Sequence, residues 1–115
     1  MGFKTTSEGD FTIITLTGEI DLQTSPEARE LILQTLKNKQ HVLVEMAEVE
    51  YIDSSGIASL VEGFQDAKSR KLHFGLVNIS GSTRQVLALA RLDKIFPIFD
   101  TVDDGLSLLN KDSAG

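Results

Sequence analysis

The spacing of apolar residues along this chain switches several times between a period of two and a period near three and a half, which predicts alternating strands and helices. Phe11–Thr17 (FTIITLT) is β-branched and aromatic and reads as a strand, which Gly18 ends. Phe3 and Lys4-Thr5-Thr6 suit a short edge strand before it, and Gly9-Asp10 is a turn dipeptide that joins the two as a hairpin. Thr24 or Ser25 is placed to cap a helix with Pro26 at its first position and Glu27 at its positive end. Ala28, Leu31, Ile32 and Leu36 then share one helical face. His41–Ala47 is the next strand, with Val42, Val44 and Met46 on one side. After Ile52 and Asp53-Ser54-Ser55-Gly56, the positions Ile57, Leu60, Val61, Phe64 and Ala67 predict a second amphipathic helix. Lys71–Val77 alternates Leu72, Phe74 and Leu76 as a strand. Ser82–Arg91 opens with Ser82 and Gln85 in capping-box spacing and carries Val86, Leu87, Leu89 and Ala90. Phe96–Phe99 is apolar but contains Pro97, which assigns it to an edge. Thr101 starts a last short helix, with Asp103 and Asp104 in its first turn and Leu106 and Leu109 as anchors.

The predicted order is ββαβαβαβα. That order implies an α/β fold: a mixed, mostly parallel sheet of about five strands with about four helices. The length of 115 residues suits one domain spanning 1–115. Its ordered core is expected over about 3–109, with residues 110–115 as a flexible tail. A net charge of −6 opposes nucleic-acid binding through a basic surface. The absence of Cys removes disulfides and thiolate chemistry, and two His leave no His-rich metal site. No apolar run reaches bilayer-spanning length and the N-terminus lacks a signal-peptide pattern, so a cytoplasmic protein is expected.

Catalytic signals are weak. No Gly-rich phosphate loop and no G-x-S-x-G elbow occurs. His73 falls within a predicted strand and His41 begins one, so both read as strand residues and not as bases. Glu45, Glu48 and Glu50 read as the solubilising acids of an edge or loop. Asp53-Ser54-Ser55-Gly56 is the constellation of interest. Asp or Ser there caps a helix by accepting a backbone N–H, and Gly56 permits close packing. The same position suits a phosphate, because a helix start has free N–H donors and a positive dipole end. A phosphate adds about −1.5 to −2 charge and acts on a partner that must abut this surface.

Three segments stand in register: Leu16-Thr17-Gly18-Glu19-Ile20-Asp21, Val49-Glu50-Tyr51-Ile52-Asp53-Ser54-Ser55-Gly56-Ile57 and Leu92-Asp93-Lys94-Ile95-Phe96-Pro97-Ile98-Phe99-Asp100. Together they resemble the STAS family (sulfate transporter and anti-sigma factor antagonist), in particular its small stand-alone bacterial antagonists. The resemblance runs from about Phe3 to Leu109. It implies that the serine after the aspartate, Ser54, is phosphorylated by a partner serine kinase that is also the anti-sigma factor; Ser55 is the second candidate. The unphosphorylated form binds that kinase and frees the sigma factor, the phosphorylated form is released, and a phosphatase resets it. Asp21 and Asp53 match the acids that flank the phosphosite, and with Ser54, Ser55, Gly56 and Ile57 they form the implied partner-binding set. ATP and Mg²⁺ belong to the kinase. For this chain the resemblance implies a substrate and not an enzyme, with no catalytic residue, metal or cofactor. The free protein is expected to be a monomer that neither binds nucleic acid nor inserts into a membrane.

Two departures stand out. Ala58 replaces a glycine common after the signature, and Ala90-Arg91-Leu92 stands where a small residue and glycine often precede the leucine, which is expected to alter that helix end. The alternative reading is a STAS subunit of a membrane-transport complex of the lipid-trafficking ATP-binding cassette kind. If Asp21 and Asp53 follow adjacent strands at one end of the sheet, they form a single acidic, hydroxyl-bearing patch; opposite ends would remove it.

Overall fold

The computed structural model describes residues 3–107. Strands β1 (Lys4–Glu8), β2 (Phe11–Ile20), β3 (His41–Ile52), β4 (Phe74–Val77) and β5 (Ile98–Phe99) form one sheet in sequence order. β1 pairs antiparallel with β2, and every later pair is parallel. Helices α1 (Ser25–Lys37), α2 (Ser54–Ser69) and α3 (Gly81–Leu89) make the crossovers. Parallel strands added in one direction through right-handed crossovers place all their helices on one face. The main core obeys this: Ile14, Leu16, Val42, Val44 and Leu76 of the sheet meet Ile32, Leu36, Leu60 and Leu87 of the helices. The period of two sends Phe11, Ile13, Leu43 and Val77 to the other face. There Phe99, Val102 and Leu106 cover them, the latter two from a helical stretch at 102–107.

The fold class and element order are therefore those the periodicity predicts, and several details differ. β3 does not stop at Ala47. It continues to Ile52 beside β2, so Glu45, Glu48 and Glu50 lie in the central strand and not in a loop. The acids fit because β3 outruns β4: their pairing ends at Glu45 with Val77, and Glu48 and Glu50 are exposed. β4 starts at Phe74 because Lys71, in the left-handed region at φ 60°, ends α2 first; His73 thus precedes the strand. The Ser82–Gln85 capping box does not form. Ser80 is the N-cap, and its hydroxyl accepts from Thr83 N at 3.3 Å. A short 3₁₀ turn at Leu92–Lys94, absent from the periodic pattern, joins α3 to β5. At the last helix Thr101 Oγ1 accepts from Asp104 N at 3.1 Å, as a cap should. Leu109 and the tail at 110–115 lie outside the described residues.

Candidate functional site

β2 and β3 end side by side, Ile20 opposite Ile52, and Asp53 N donates to Ile20 O at 3.1 Å. Asp21 and Asp53 thus follow neighbouring strand ends at the same end of the sheet. Their geometry satisfies the condition for one patch. Functional groups of parallel sheets gather at this carboxyl end, where strands pass into helices.

Asp53 is extended (φ −103°, ψ −171°) and caps α2. Its Oδ1 accepts from Ser55 N at 2.9 Å, Gly56 N at 3.2 Å and the Ser55 hydroxyl at 2.5 Å. The Ser55 hydroxyl bond is the main reason its pKa lies below the usual carboxylate value; the Gly56 and Ser55 N–H groups add to it, and partial burial opposes it. Asp53 is therefore a fixed negative charge at neutral pH.

The two serines differ. The Ser55 side chain is half-buried and committed to Asp53. Ser54 opens α2, is exposed, and its hydroxyl has no hydrogen-bond partner among the described residues. Ser59, one turn on and missed by the sequence reading, is buried and donates to Ser55 O at 3.1 Å and Ser25 O at 3.4 Å. It ties the start of α2 to the start of α1. Ile57 packs against the main core, and Ala58 faces solvent.

Gly56 and Gly18 are glycines for different reasons. A Cβ on Gly56 would stand 2.6 Å from Ile52 Cγ1, 2.9 Å from Ile20 Cγ2 and 3.0 Å from Ile20 O. Its absence lets the helix start sit on both strand ends. Gly18 has open space around it but φ 74°, within the register irregularity of β2 against β3.

The turn after β2 is braced from within. Asp21 Oδ1 accepts from Gln23 N at 2.9 Å and Thr24 N at 3.1 Å. Thr24 is the N-cap residue of α1 but makes no side-chain cap bond. Its hydroxyl instead donates to Glu19 O at 2.8 Å and accepts from Asp21 N at 2.9 Å. Held by this brace, Leu22 is 78% exposed. An apolar residue inside a polar turn was the available sequence signal for it. Glu19, Asp21 and Glu27 line an open cleft of about 500 Å³ beside the turn. A second open cleft, about 470 Å³, lies between α1 and α2 and is lined by none of the predicted site residues. Among the described residues no cluster of three or more His, Cys, Asp or Glu suits a metal ion, and no helix is long and apolar enough to cross a membrane.

This is an α/β protein whose exposed serine and hydrogen-bonded carboxylates share one end of a mixed, mostly parallel sheet. The STAS domain model matches residues 3–105, and the chain belongs to that family. It is 28% identical over 96 residues to the anti-sigma-F factor antagonist RsfB of Mycobacterium tuberculosis, a match covering 83% of this chain and 78% of that one. An anti-sigma factor antagonist from Mycobacterium paratuberculosis superposes with a TM-score of 0.82 at 26% identity, over 94% of this chain and 92% of that one. The Bacillus cell fate determinant SpoIIAA in its phosphorylated form shares the fold, with a TM-score of 0.74 at 17% identity, over 94% of this chain and 99% of that one.

Proposed function

We propose that this protein is an anti-sigma factor antagonist that works as a phosphorylation-regulated docking module, with Ser54 as the phosphoacceptor. Unphosphorylated, it binds a serine kinase that is also an anti-sigma factor and so releases the sigma factor. Phosphate on Ser54 ends binding, and a phosphatase restores the hydroxyl. In this reading the chain is a substrate and not an enzyme. It acts in the cytoplasm, and it meets the kinase as a single chain that binds no nucleic acid.

The observation that carries the reading is the contrast between the two hydroxyls: Ser54 exposed and unengaged, Ser55 held by Asp53. A kinase needs a hydroxyl that can leave the surface and enter its active site, and only Ser54 meets that need without breaking the Asp53 cap. Names among the relatives support the same role. The physics supports the direction of the switch. A phosphate on the first residue of α2 stays in water and near the helix's positive end, so the fold tolerates it. Beside the Asp53 carboxylate it concentrates negative charge on a surface that a partner must cover, where charge mismatch is costly.

The test uses wild type, Ser54→Ala and Ser54→Asp against the serine kinase captured from the source organism, with phosphosite mapping by mass spectrometry. Ser54→Ala is expected to bind like wild type and to take no phosphate. Ser54→Asp is expected to bind weaker by about two orders of magnitude. Equal retention of an ATPase or permease by all three baits would favour the transport subunit instead.

A further inference from the structure

Among the described residues the large hydrophobic side chains left in solvent are Leu22 (78% exposed), Tyr51 (54%), Leu89 (86%) and Ile95 (52%). They fall into two pairs. Leu22 and Tyr51 lie at the carboxyl end of the sheet, where Glu19 pairs across from Tyr51 and Asp21 adjoins Leu22. Glu48, Glu50 and Asp53 belong to the same end, and neither 17–25 nor 47–57 holds a Lys or Arg; the exposed Arg84, near the start of α3, adds a cation on the β4 side. Leu89 ends α3 and Ile95 follows the 3₁₀ turn. α3 starts after the carboxyl end of β4 and runs back, and β5 is parallel to β4, so this second pair lies at the amino end of the sheet. Arg91 and Lys94 flank it, both exposed, while the one acid of the segment, Asp93, is half-buried. Lys39 and Lys71, which follow α1 and α2, lie at that end too; the exposed acids Glu8 and Asp10 share it at the β1 edge of the sheet, across from β4 and β5.

One chain thus carries an acidic face with two apolar projections and, at the opposite end, a basic face with two more. We propose that these faces recognise each other, so that the protein self-associates head to tail, Leu22 and Tyr51 of one copy against Leu89 and Ile95 of the next. The occupant is argued from charge: the basic face stands out on a chain of net charge −6, and the same chain supplies the acidic apolar surface that complements it. The two faces differ, so the contact is heterologous, and each added copy leaves one of each face open. Two apolar side chains a side give less area than a permanent dimer needs, so the association is weak, concentration-dependent and screened by salt. Ser54 shares the acidic end, so a partner that covers it competes with the next copy. This inference stands apart from the kinase reading, because it needs no kinase.

Sedimentation velocity over a roughly hundred-fold concentration range reads it directly. The weight-average mass of wild type is expected to rise with concentration and to fall back in high salt. Arg91→Gly with Lys94→Glu reverses the charge beside Leu89 and Ile95, and glycine suits the backbone at residue 91, where φ is 60°. Glu19→Lys with Leu22→Ser removes one apolar projection of the acidic face and reverses the charge opposite the other, Tyr51. Each variant alone is expected to stay a single chain, and an equimolar mixture is expected to form two-chain complexes and stop there. Circular dichroism checks that both variants fold. Single chains at every wild-type concentration would overturn the proposal, as would variants that associate alone as well as wild type does. Binding of single chains to phosphatidylglycerol vesicles, lost with Arg91→Gly and Lys94→Glu, would overturn it in favour of a lipid surface.

Discussion

The end of β2 with the start of α2, at the sheet's carboxyl end, and the helix ends at its amino end solve the same backbone problem in different ways. At the carboxyl end glycine stands at two demanding positions, Gly56 for space and Gly18 for its φ of 74°, while Asn78 after β4 takes φ 53°, as asparagine tolerates. At the amino end Gly9 turns β1 into β2 at φ 61°, but each of three helices is followed, directly after its C-cap residue, by a left-handed residue that is not glycine, at the position glycine most often takes. Here those residues are Lys39 (φ 64°), Lys71 (φ 60°) and Arg91 (φ 60°). A side chain in that region costs about 1–2 kcal/mol. A cation at a helix's negative end returns about 0.3–1 kcal/mol of it. The comparison separates two uses of sequence. The carboxyl end is shaped so that backbone approaches backbone and carboxylates are held still. The amino end accepts strain and carries charge instead.

The largest test of this contrast is Gly56→Ala. The new methyl would meet Ile52, Ile20 and the Ile20 carbonyl at 2.6–3.0 Å, and a carbonyl in a sheet cannot step aside as a flexible side chain does. A loss of about 2–3 kcal/mol in urea unfolding is expected, the upper part of the range for overpacking. Gly81→Ala is the control, since nothing lies within 4 Å of its added methyl. It should fall within about 0.5 kcal/mol of wild type. Ser54→Ala should fall in the same band, because Asp53 and not Ser54 supplies the cap. If Gly56→Ala were as mild as these two, close approach would not be what shapes the carboxyl end.

An acid titration reads the two ends one after the other. At the amino end His41 Nδ1 accepts from His73 N at 2.9 Å, which requires that nitrogen to be unprotonated. Burial and then the neighbouring His73 push the His41 pKa below the ordinary 6.5, while Asp10 pulls it up. The unfolded chain therefore takes the proton first. Stability is complete above about pH 6.5 and declines below it until the folded-state pKa is passed. At the carboxyl end Asp53, lowered from 3.8, contributes above its ordinary value and loses that contribution as pH falls through its folded-state pKa. His41→Asn, whose amide oxygen can accept the same N–H, should flatten the first decline and leave the second. Asp53→Asn should do the reverse. A first decline that survives His41→Asn would remove His41 as its source.

The sequence made these ends unequally legible. Asp53 before two serines and a glycine reads as a cap because a carboxylate one residue ahead of a helix has little else to bind. The adjacency of Asp21 and Asp53 was open in the sequence and is set by the parallel pairing of β2 with β3. The central position of Glu45, Glu48 and Glu50 did not, because β2 and β3 slip register between Thr15 and Thr17 and again at Gly18. Past such a slip, alternation no longer marks a strand. Thr24 was legible as a cap in type but not in partner, since its hydroxyl is taken by Asp21 and Glu19. Ser80 and Ser82 are chemically equal caps, and the choice between them is made by the backbone, which turns at Asn78 with φ 53°. What was lost in each case is a backbone conformation, which side-chain identity signals only when the residue is glycine or proline.

Arg91 is where that loss can be measured, and it carries the smallest expected effect. The departure at Ala90-Arg91-Leu92 puts a long, charged side chain at φ 60°, where glycine is unstrained. Arg91→Gly relieves that strain. Against this, the unfolded chain gains freedom when glycine replaces arginine, and the helix end loses a cation. The terms nearly offset, and a net stabilisation of about 0.5 kcal/mol is expected at moderate salt. Salt decides which term is which. Screening removes the charge contribution and leaves the backbone strain untouched, so the gain from Arg91→Gly should grow as ionic strength rises. Lys39→Gly and Lys71→Gly, at the ends of the other two helices, should follow the same trend. A gain that shrinks with salt would mean that the arginine's charge is unfavourable at this helix end, and the contrast with the carboxyl end would fail where it is most easily measured.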